Sequence, residues 1–535
     1  MTDGIAYETA WQNYSQQPRE TPGAEADVES LLLKFHPDWD PNATTKLQVG
    51  PNSGDKCQRE IAQLLESNAL IDEVDLAGAP VSQTDVLIIG SGGAGCAAAL
   101  SAGDAGARVV LATKLRLGDS NTVMAEGGIQ AAIDPEDSPQ LHYEDTLKAG
   151  HHVADKELVA QMAMDGPPVI RWLIQRGMRF DQTGNSPFDN LTLKRPGGAS
   201  APRILSYGDY TGLEMMRVLR EAVRNHPSVH VRHSAPVVEL LSDEQGNCAG
   251  GVIYDVSRRE LSVVKAASVI LATGGLGRLH LNGYPTSNHF GATGDGLVLA
   301  YRLGAKLRDL DSFQYHPTGL AWPNHLVGAL VSEAARSAGA HLINGLGERF
   351  TDELQSRDVV SAAIIRECRE GRGILRDGKL GVFLDTPGLE KASPGTLAKF
   401  GSLLHLAKKC GADPAEFPFL VYPTLHYQNG GIVIDSEGAT TVPNLYSAGE
   451  NSGGIHGRNR LMGNALLEII SFGRRAGARA AQARGHGISQ NISTRHLLQR
   501  QRELTHNGLP LDNRAPQLFP DYSNFTFRDH LEARI

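Results

Sequence analysis

We predict an α/β fold of the doubly wound type from three features of the sequence. An apolar run, DVLIIG, is followed by a glycine-rich turn and by the helical segment GCAAALSAGDAG. A second apolar run, RVVLAT, follows this helix, so the segments form a strand, a helix and a parallel strand. Glycine is also frequent, with 59 residues in 535, as expected where turns or ligands approach the backbone closely. These features predict a Rossmann-like domain whose ligand lies beyond the C-terminal ends of the strands.

The order of the predicted elements divides the chain into five regions. Further strands in VHVRHS, GGVIYDV and SVILATGG extend the sheet, and the period of NALLEIISFGRRAGARAA predicts a closing helix. A mixed stretch interrupts this domain, so we expect an α+β capping domain there. The regions are an irregular N-terminal extension with one short helix in CQREIAQLLESNAL and a possible partner-docking role (1–82), the first segment of the nucleotide-binding domain (83–310), the capping domain (311–423), the second segment of the nucleotide-binding domain (424–485) and a short C-terminal tail (486–535).

Composition and charge exclude several classes of protein. The 51 Lys and Arg against 60 Asp and Glu give a net charge of −9, so no basic field attracts nucleic acid. The N-terminus lacks the pattern of a signal peptide, and no apolar run approaches the roughly 18 residues of a membrane span. We therefore expect a cytoplasmic protein with no direct membrane span, which reaches a membrane only through partner subunits.

The spacing of cysteine and histidine gives no sign of a metal centre. The chain has five cysteines, at Cys57, Cys96, Cys248, Cys368 and Cys410. They form no CxxC pair and no ferredoxin spacing, so we expect reduced thiols and no iron–sulfur cluster in the chain itself. His151 and His152 are adjacent and have no carboxylates at ligand spacing, so we expect no metal there either.

The glycine-rich turn at Gly90–Gly95 has the GxGxxG spacing of a dinucleotide site. It follows a strand and opens a helix, so its glycines allow the tight turn, the approach of a pyrophosphate and the packing of helix on strand. An NAD site places an acidic residue about 20 residues later, but the second strand ends at Thr113–Lys114. The sequence therefore favours FAD over NAD.

Three more fragments are consistent with a flavin nucleotide. Glycine turns border strands at Ala272–Gly275, at Thr293–Gly296 and at Ala448–Glu450. Each alone is an ordinary turn, but their joint occurrence with the GxGxxG segment favours a nucleotide. Arginines and histidines also recur between 315 and 460, and arginine recognises carboxylates with two parallel hydrogen bonds. If these groups converge, they bind a dianionic substrate.

The order of these motifs resembles the flavoprotein subunit of the succinate dehydrogenase and fumarate reductase family, which shares a superfamily with L-aspartate oxidase. The motifs are HPTG, Ser-Glu-x-x-Arg, Arg-Asp, HYxxGG and HGxNRLxxNxLxE, and the resemblance covers about 84–485. It leaves the N-terminal extension unmatched, and the helical C-terminal domain usual in the family is largely missing from the 50 residues that follow. The resemblance implies a Rossmann-like FAD-binding domain that the cap interrupts.

The resemblance also implies roles for individual residues. Arg357 would deliver the proton, with Glu333 and Arg336 as its proton relay. The substrate carboxylates would be bound by His316, Ser332, His426 and Arg460. The implied FAD-binding residues are Gly90, Gly92, Gly93, Ala94, Gly95, Thr113, Lys114, Ser120, Asn121, Thr122, Gly127, Gly128, Asp209, Ala272, Thr273, Gly274, Asp295, Glu450, Asn464 and Leu466.

The sequence departs from the family pattern at several points. Ser332 replaces a threonine and retains its hydroxyl, and Gly-Glu-Gly becomes Ser-Ala-Gly at 337–339. Gln428, Asn429 and Arg458 are also unusual, and they either reshape the pocket or face solvent. Asn121 stands where respiratory members have the histidine that bonds the flavin covalently, so we predict non-covalent FAD. The missing bond disfavours succinate oxidation and favours reduction or an aspartate-type oxidation.

These inferences leave three functions open. We favour an FAD-dependent fumarate reductase-type subunit that transfers a hydride between flavin N5 and a C4 dicarboxylate and receives electrons from a partner iron–sulfur subunit. The first alternative is L-aspartate oxidase, which differs in the amine of its substrate and in its electron acceptor. The second is a flavin electron-transfer subunit with a vestigial dicarboxylate site.

Overall fold

The computed structural model describes residues 4–16, 22, 25, 27–72, 74–184 and 190–520. The end of the predicted C-terminal tail, 521–535, lies outside these residues. The α-helices are α1 Tyr7–Gln16, α2 Val28–Phe35, α3 Arg59–Leu65, α4 Gly93–Asp104, α5 Pro139–Ala149, α6 Lys156–Gln175, α7 Thr211–Asn225, α8 Asp295–Arg302, α9 Glu333–Ser337, α10 Arg357–Arg369, α11 Thr386–Ala392, α12 Gly401–Cys410, α13 Asn464–Gln482 and α14 Arg495–His506.

The strands form two large sheets and several small ones. They are β1 Ile5–Ala6, β2 Thr44–Lys46, β3 Lys56–Gln58, β4 Asn68–Ala69, β5 Val81–Ile89, β6 Val109–Ala112, β7 Ile129–Gln130, β8 Leu193–Lys194, β9 Ile204–Leu205, β10 Val229–Arg232, β11 Val237–Ser242, β12 Cys248–Asp255, β13 Glu260–Leu271, β14 Leu307–Arg308, β15 Phe313–Leu320, β16 His341–Ile343, β17 Ile374–Arg376, β18 Lys379–Asp385, β19 Phe419–Gln428, β20 Gly431–Val433, β21 Leu445–Ser447, β22 Ser452–Gly453 and β23 Arg514–Ala515.

The central sheet confirms the predicted doubly wound fold. Its strand order is β10-β6-β5-β13-β12-β11, and β21 also pairs with β13. Strands β10, β6, β5, β13 and β21 are parallel, whereas β12 and β11 are antiparallel additions. Residues 86–88 of β5 are fully buried, which explains the continuous apolar run in the sequence.

Helices α4 and α13 pack tightly against one another beside this sheet. A Cβ atom at Gly477 would lie 2.3 Å from the Ala98 backbone oxygen, and one at Gly473 would lie 2.6 Å from that of Ala94. The two glycines therefore allow the predicted closing helix to approach the helix that follows the glycine-rich turn.

The cap is built on a second sheet with the order β1-β17-β18-β19-β15, to which β16 adds through β18. Helices α9 to α12 accompany this sheet in the chain, and α10 packs on β15. The last strand, β19, continues to Gln428, past the boundary predicted at 423. Consequently His426 lies on a strand of the cap.

The N-terminal extension packs along the rest of the chain. It contains α1 and α2 in addition to the predicted helix, which is α3. Strand β1 pairs with β17, and α2 buries Leu31 and Leu32 among apolar residues of α10. Within the described portion of the chain, no helix is long and apolar enough to cross a membrane.

Candidate functional site

One large cavity, of about 740 Å³, is lined by both the Rossmann-like domain and the cap. It lies at the glycine-rich turn, beyond the C-terminal ends of β5 and β6, as the doubly wound fold requires. The predicted cofactor residues that line it are Gly90, Gly92, Gly93, Ala94, Thr113, Lys114, Ser120, Asn121, Thr122, Gly127, Gly128, Asp209, Ala272, Thr273, Gly274, Asp295, Glu450 and Leu466.

The glycine-rich turn has the close contacts that a dinucleotide cradle needs. Gly90 has a φ of +103°, and a Cβ there would lie 2.2 Å from the Ala272 backbone oxygen. The first turn of α4 follows Gly92, which has no side chain to cap the helix and block a phosphate. Gly95 does not line the cavity; a Cβ there would lie 1.9 Å from the Gly90 oxygen, so Gly95 serves packing.

Lys114 takes the place where an NAD site has an acid. Its Nζ contacts Asp295 Oδ2 at 2.7 Å and Thr293 Oγ1 at 2.7 Å. It also donates to the backbone oxygen of Leu518, from the C-terminal tail, at 2.6 Å. The end of β6 is therefore occupied by a lysine that is already paired, which fits FAD better than NAD.

Asn121 is fixed by hydrogen bonds at both ends of its amide. Its Nδ2 donates to Glu450 Oε2 at 3.0 Å and to Asn288 Oδ1 at 2.8 Å. Its Oδ1 accepts from the backbone N–H of His289 at 2.6 Å. Burial raises the pKa of Glu450 to about 7, so this carboxyl is poised to exchange a proton near neutrality.

Asn464 and Arg336, two other predicted site residues, lie behind the cavity wall. Asn464 accepts from or donates to His142 at 2.8 Å and donates to Thr146 at 2.9 Å, so it supports the start of α13. Arg336 is buried and donates to the backbone oxygen of Glu353 at 2.5 Å. The sequence pattern therefore identified both residues as members of the region, but neither lines the cavity.

Arg357 and Glu333 form a buried ion pair at the cavity. Arg357 Nε donates to Glu333 Oε2 at 2.8 Å, and Arg336 lies 3.3 Å from the same oxygen. Burial alone would raise the pKa of Glu333, but the charges of Arg357 and Arg336 hold it below its ordinary value. Glu333 is thus an ionised carboxylate between two guanidinium groups.

His316, His426 and Ser332 line the same cavity. The two imidazole rings lie 5.2 Å apart between centroids, and Ser287 Oγ is 2.8 Å from His426 Nδ1. Burial and the charge of Arg357 lower the pKa of both histidines far below 6.5, so both are neutral at pH 7. Ser332 begins α9, where its hydroxyl accepts from the Ala334 N–H. The structure brings all these groups to one place.

Gln314 is a functional candidate that the sequence analysis missed. Its Oε1 accepts from Arg357 Nη1 at 2.9 Å and from Arg460 Nη2 at 3.0 Å. Its Nε2 donates to Asn459 Oδ1 at 2.9 Å, which fixes the amide orientation. The available signal was its position two residues before His316 on a strand buried on both faces, where a polar side chain facing the histidine's side needs partners.

Arg460 rests on an aromatic ring. Its guanidinium carbon lies 4.5 Å from the centroid of the Tyr427 ring, and the Tyr427 hydroxyl donates to Glu468 Oε2 at 2.7 Å. Burial, followed by the charge of Arg357, lowers the pKa of Arg460 to about 10. Arg460 remains a cation at pH 7.

Three departures from the family pattern, Gln428, Asn429 and Arg458, do not line the cavity. Arg458 pairs with Asp311 at 2.6 Å, beneath Trp39 of the extension. Asn429 donates to the Arg458 backbone oxygen at 3.1 Å, and Gln428 donates to that of Gly430 at 2.7 Å. Of the two alternatives left open by the sequence, neither holds, because these side chains support the backbone and the extension.

Comparison with known proteins agrees with this geometry. The model of the FAD binding domain family matches residues 85–466. A subunit of the fumarate reductase (CoM/CoB) of Methanothermobacter marburgensis is 40% identical over 414 residues, covering 75% of this chain and 73% of that protein. The L-aspartate oxidase of Streptomyces coelicolor is 38% identical over 416 residues, covering 75% and 69%.

Solved structures resemble the fold as well. The E. coli quinol fumarate reductase flavoprotein has a TM-score of 0.72 at 31% identity, covering 80% of this chain and 74% of that one. The open conformation of a flavocytochrome c3 fumarate reductase has a TM-score of 0.63 at 28% identity, covering 77% and 80%. The chain therefore belongs to the FAD binding domain family and, within it, is an FAD-dependent oxidoreductase of the fumarate reductase, succinate dehydrogenase and L-aspartate oxidase group.

Proposed function

We propose that this protein is a fumarate reductase-type flavoprotein subunit that acts on a C4 dicarboxylate, with reduction of fumarate to succinate as the favoured direction. The observation that supports this best is the convergence of Arg357 and Arg460 on Gln314 in the cavity of the glycine-rich turn. Two guanidinium groups about 6 Å apart at most, since they share one acceptor, suit a dianion. Neutral His316 and His426 add hydrogen-bonding groups without repelling it.

The side chains suit a reaction in which a hydride and a proton add to a carbon–carbon double bond. FAD supplies the hydride when it is bound. Ser332 and His316 bind one carboxylate of the substrate, and His426 and Arg460 bind the other. Arg357 holds the proton for the carbon that develops negative charge, and the Glu333–Arg336 pair returns a proton to Arg357.

We further propose that FAD is held without a covalent bond and that electrons arrive from a partner iron–sulfur subunit. The amide of Asn121 supports the first point, because its atoms are held by Glu450, Asn288 and His289 and it has no nucleophilic nitrogen. Acid precipitation should leave a colourless pellet, and a yellow washed pellet would exclude this. The similarity to quinol fumarate reductase supports the second point, and iron in proteins that co-purify with the chain would test it.

L-aspartate oxidase is the second candidate, because a protein of that name is as similar to this chain as the fumarate reductase relative is. Stopped-flow mixing under anaerobic conditions separates the two. We expect photoreduced protein to be reoxidised by fumarate, and L-aspartate to leave oxidised flavin unbleached. Arg357→Lys should abolish turnover with the FAD content unchanged; undiminished turnover would instead indicate a vestigial dicarboxylate site.

A further inference from the structure

Two carboxyl groups of the Rossmann-like domain line the same cavity as the dicarboxylate site. Glu126 belongs to the loop that carries Asn121, and Asp209 immediately precedes α7. The cap faces them with two hydroxyl groups. Ser402 Oγ lies 3.4 Å from Asp209 Oδ2, and Ser402 and Ser332 both lie within hydrogen-bonding reach of the Glu126 carboxyl.

The position of Glu126 makes it a neighbour of the bound substrate. Ser332 is a proposed carboxylate ligand, and the next residue, Glu333, pairs with Arg357. The Oε2 atom of Glu126 is buried and has no geometrically sound hydrogen-bond partner among the residues that the structure describes. An unpartnered buried carboxylate oxygen is costly, and a second negative charge beside it would cost more.

A protonated carboxyl resolves this conflict. A carboxylic acid has an O–H that donates a hydrogen bond, and it does not repel an anion. Burial and the charge of Asp209 raise the pKa of Glu126 to about 7, and burial raises the pKa of Asp209 as well. The free protein therefore holds Glu126 partly protonated at neutral pH.

We propose that Glu126 is a specificity-determining residue that contacts the substrate as a carboxylic acid, its O–H donating to the substrate carboxylate held at Ser332. This inference rests on the proposed function, because it takes a dicarboxylate as the ligand. Binding then requires the protonated form of Glu126. Above pH 7 the dissociation constant should rise about tenfold for each pH unit, because the protonated fraction falls tenfold.

Other groups around Glu126 have to be separated from this effect. His316 and His426 are already neutral above pH 6, and Glu333 remains ionised, so none of the three titrates in this range. On the cap, His405 and Lys409 of α12 line the cavity, and Lys194 acts on Asp209. Glu450 also titrates near 7, but it bonds Asn121 and the Gln428 N–H on the side of the flavin loop.

The test is the binding of malonate to the oxidised holoprotein between pH 6.5 and 9, followed by the change it causes in flavin absorbance. Wild type should show a dissociation constant that rises about tenfold between pH 8 and 9. Glu126→Gln should be flat across this range, because the amide keeps a donor and has no charge. Asp209→Asn should move the rise to lower pH, because it removes a charge that raises the pKa of Glu126. His405→Gln, the matched control, should behave as wild type.

Three results would overturn the proposal: a flat wild-type profile, an unchanged slope in Glu126→Gln, or an unshifted rise in Asp209→Asn. Tighter binding of L-aspartate above pH 7 that Glu126→Gln abolishes would also overturn it, since Glu126 would then bind an ammonium group. Failure of malonate to bind at any pH, with FAD retained, would reject the dicarboxylate function itself and is thereby distinguishable.

Discussion

A single amide oxygen sets the distance between the two arginines of the site. Gln314 Oε1 accepts from both Arg357 and Arg460, which are 43 and 146 residues away in sequence. Two buried cations that share an acceptor repel each other once it is removed. Position at this scale governs rate, because a misplacement of about 1 Å costs roughly 100-fold.

We therefore expect Gln314→Leu to lower turnover with fumarate by about 10- to 100-fold while FAD content stays unchanged. Anaerobic oxidation of a reduced dye, coupled to fumarate, measures the rate. Gln83→Leu, on an exposed position of β5, is the control and should keep full turnover. Equal rates for Gln314→Leu and wild type would show that the amide does not position the arginines.

The Tyr427 ring under Arg460 permits a second prediction. Tyr427→Leu removes the cation–π contact, which is worth about 0.5–2 kcal/mol, so we expect the dissociation constant of a dicarboxylate to rise by about 2- to 30-fold. Tyr427→Phe keeps the ring and loses only the bond to Glu468, so its effect should be smaller. Titration of flavin absorbance measures both, and the reverse order would reject a role for the ring.

At the scale of elements, the start of α10 depends on its neighbours. Asp358 follows Arg357 in the first turn of the helix, and its Oδ2 lies 2.7 Å from His151 Nε2. The hydrogen bond with Asp358 raises the pKa of His151 above its ordinary value. Stability from this pair is therefore fully present below pH 6.5 and is lost as pH rises through the raised pKa.

His151→Asn should accordingly lower the melting temperature more at pH 6 than at pH 8.5. Because His151 is partly exposed, we expect a modest difference, below about 1 kcal/mol in the free energy of unfolding. His152→Asn is the matched control, since His152 has the same left-handed backbone and is exposed. An equal loss at both pH values in His151→Asn would contradict the charged pair.

The N-terminal extension supports the same helix from another side. Leu31 of α2 is 4% exposed against α10, whereas Leu33 on the same helix is 52% exposed. Leu31→Ala should lower the free energy of unfolding by about 2–4 kcal/mol, and Leu33→Ala by less than about 0.5 kcal/mol. Urea unfolding followed by flavin release measures this. Equal effects would mean that α2 does not pack as described.

For the whole molecule, the FAD-binding cavity joins the Rossmann-like domain and the cap. A ligand that binds only the folded protein stabilises it by about 2.7 kcal/mol at a concentration 100 times its dissociation constant. Adding FAD to the apoprotein should therefore raise the melting temperature. Gly90→Ala should lose this shift, because the added Cβ would lie 2.2 Å from the Ala272 oxygen. Replacing Gly54, which is open on all sides, is the control.

Much of the fold followed from local patterns, and less of the site did. The βαβ unit with its glycines was predictable because a buried parallel strand is continuously apolar and a tight turn requires glycine. Helices α1 and α2 were not predicted, since short helices depend on the surface they pack against. The site motifs were predicted as separate segments, and Gln314 and Glu126 were missed because their partners come from distant regions of the chain.

The sequence by itself determined the doubly wound sheet, the FAD class and the order of the motifs, because these depend on periodicity and spacing within short segments. Only the tertiary structure decided which side chains meet. It turned Arg458 toward Asp311 and the extension, brought Arg357 and Arg460 to one oxygen, and set Glu126 beside Ser332. The physical reason is that such contacts join residues far apart in sequence, and their charges and pKa values follow from burial and neighbours that no local pattern contains.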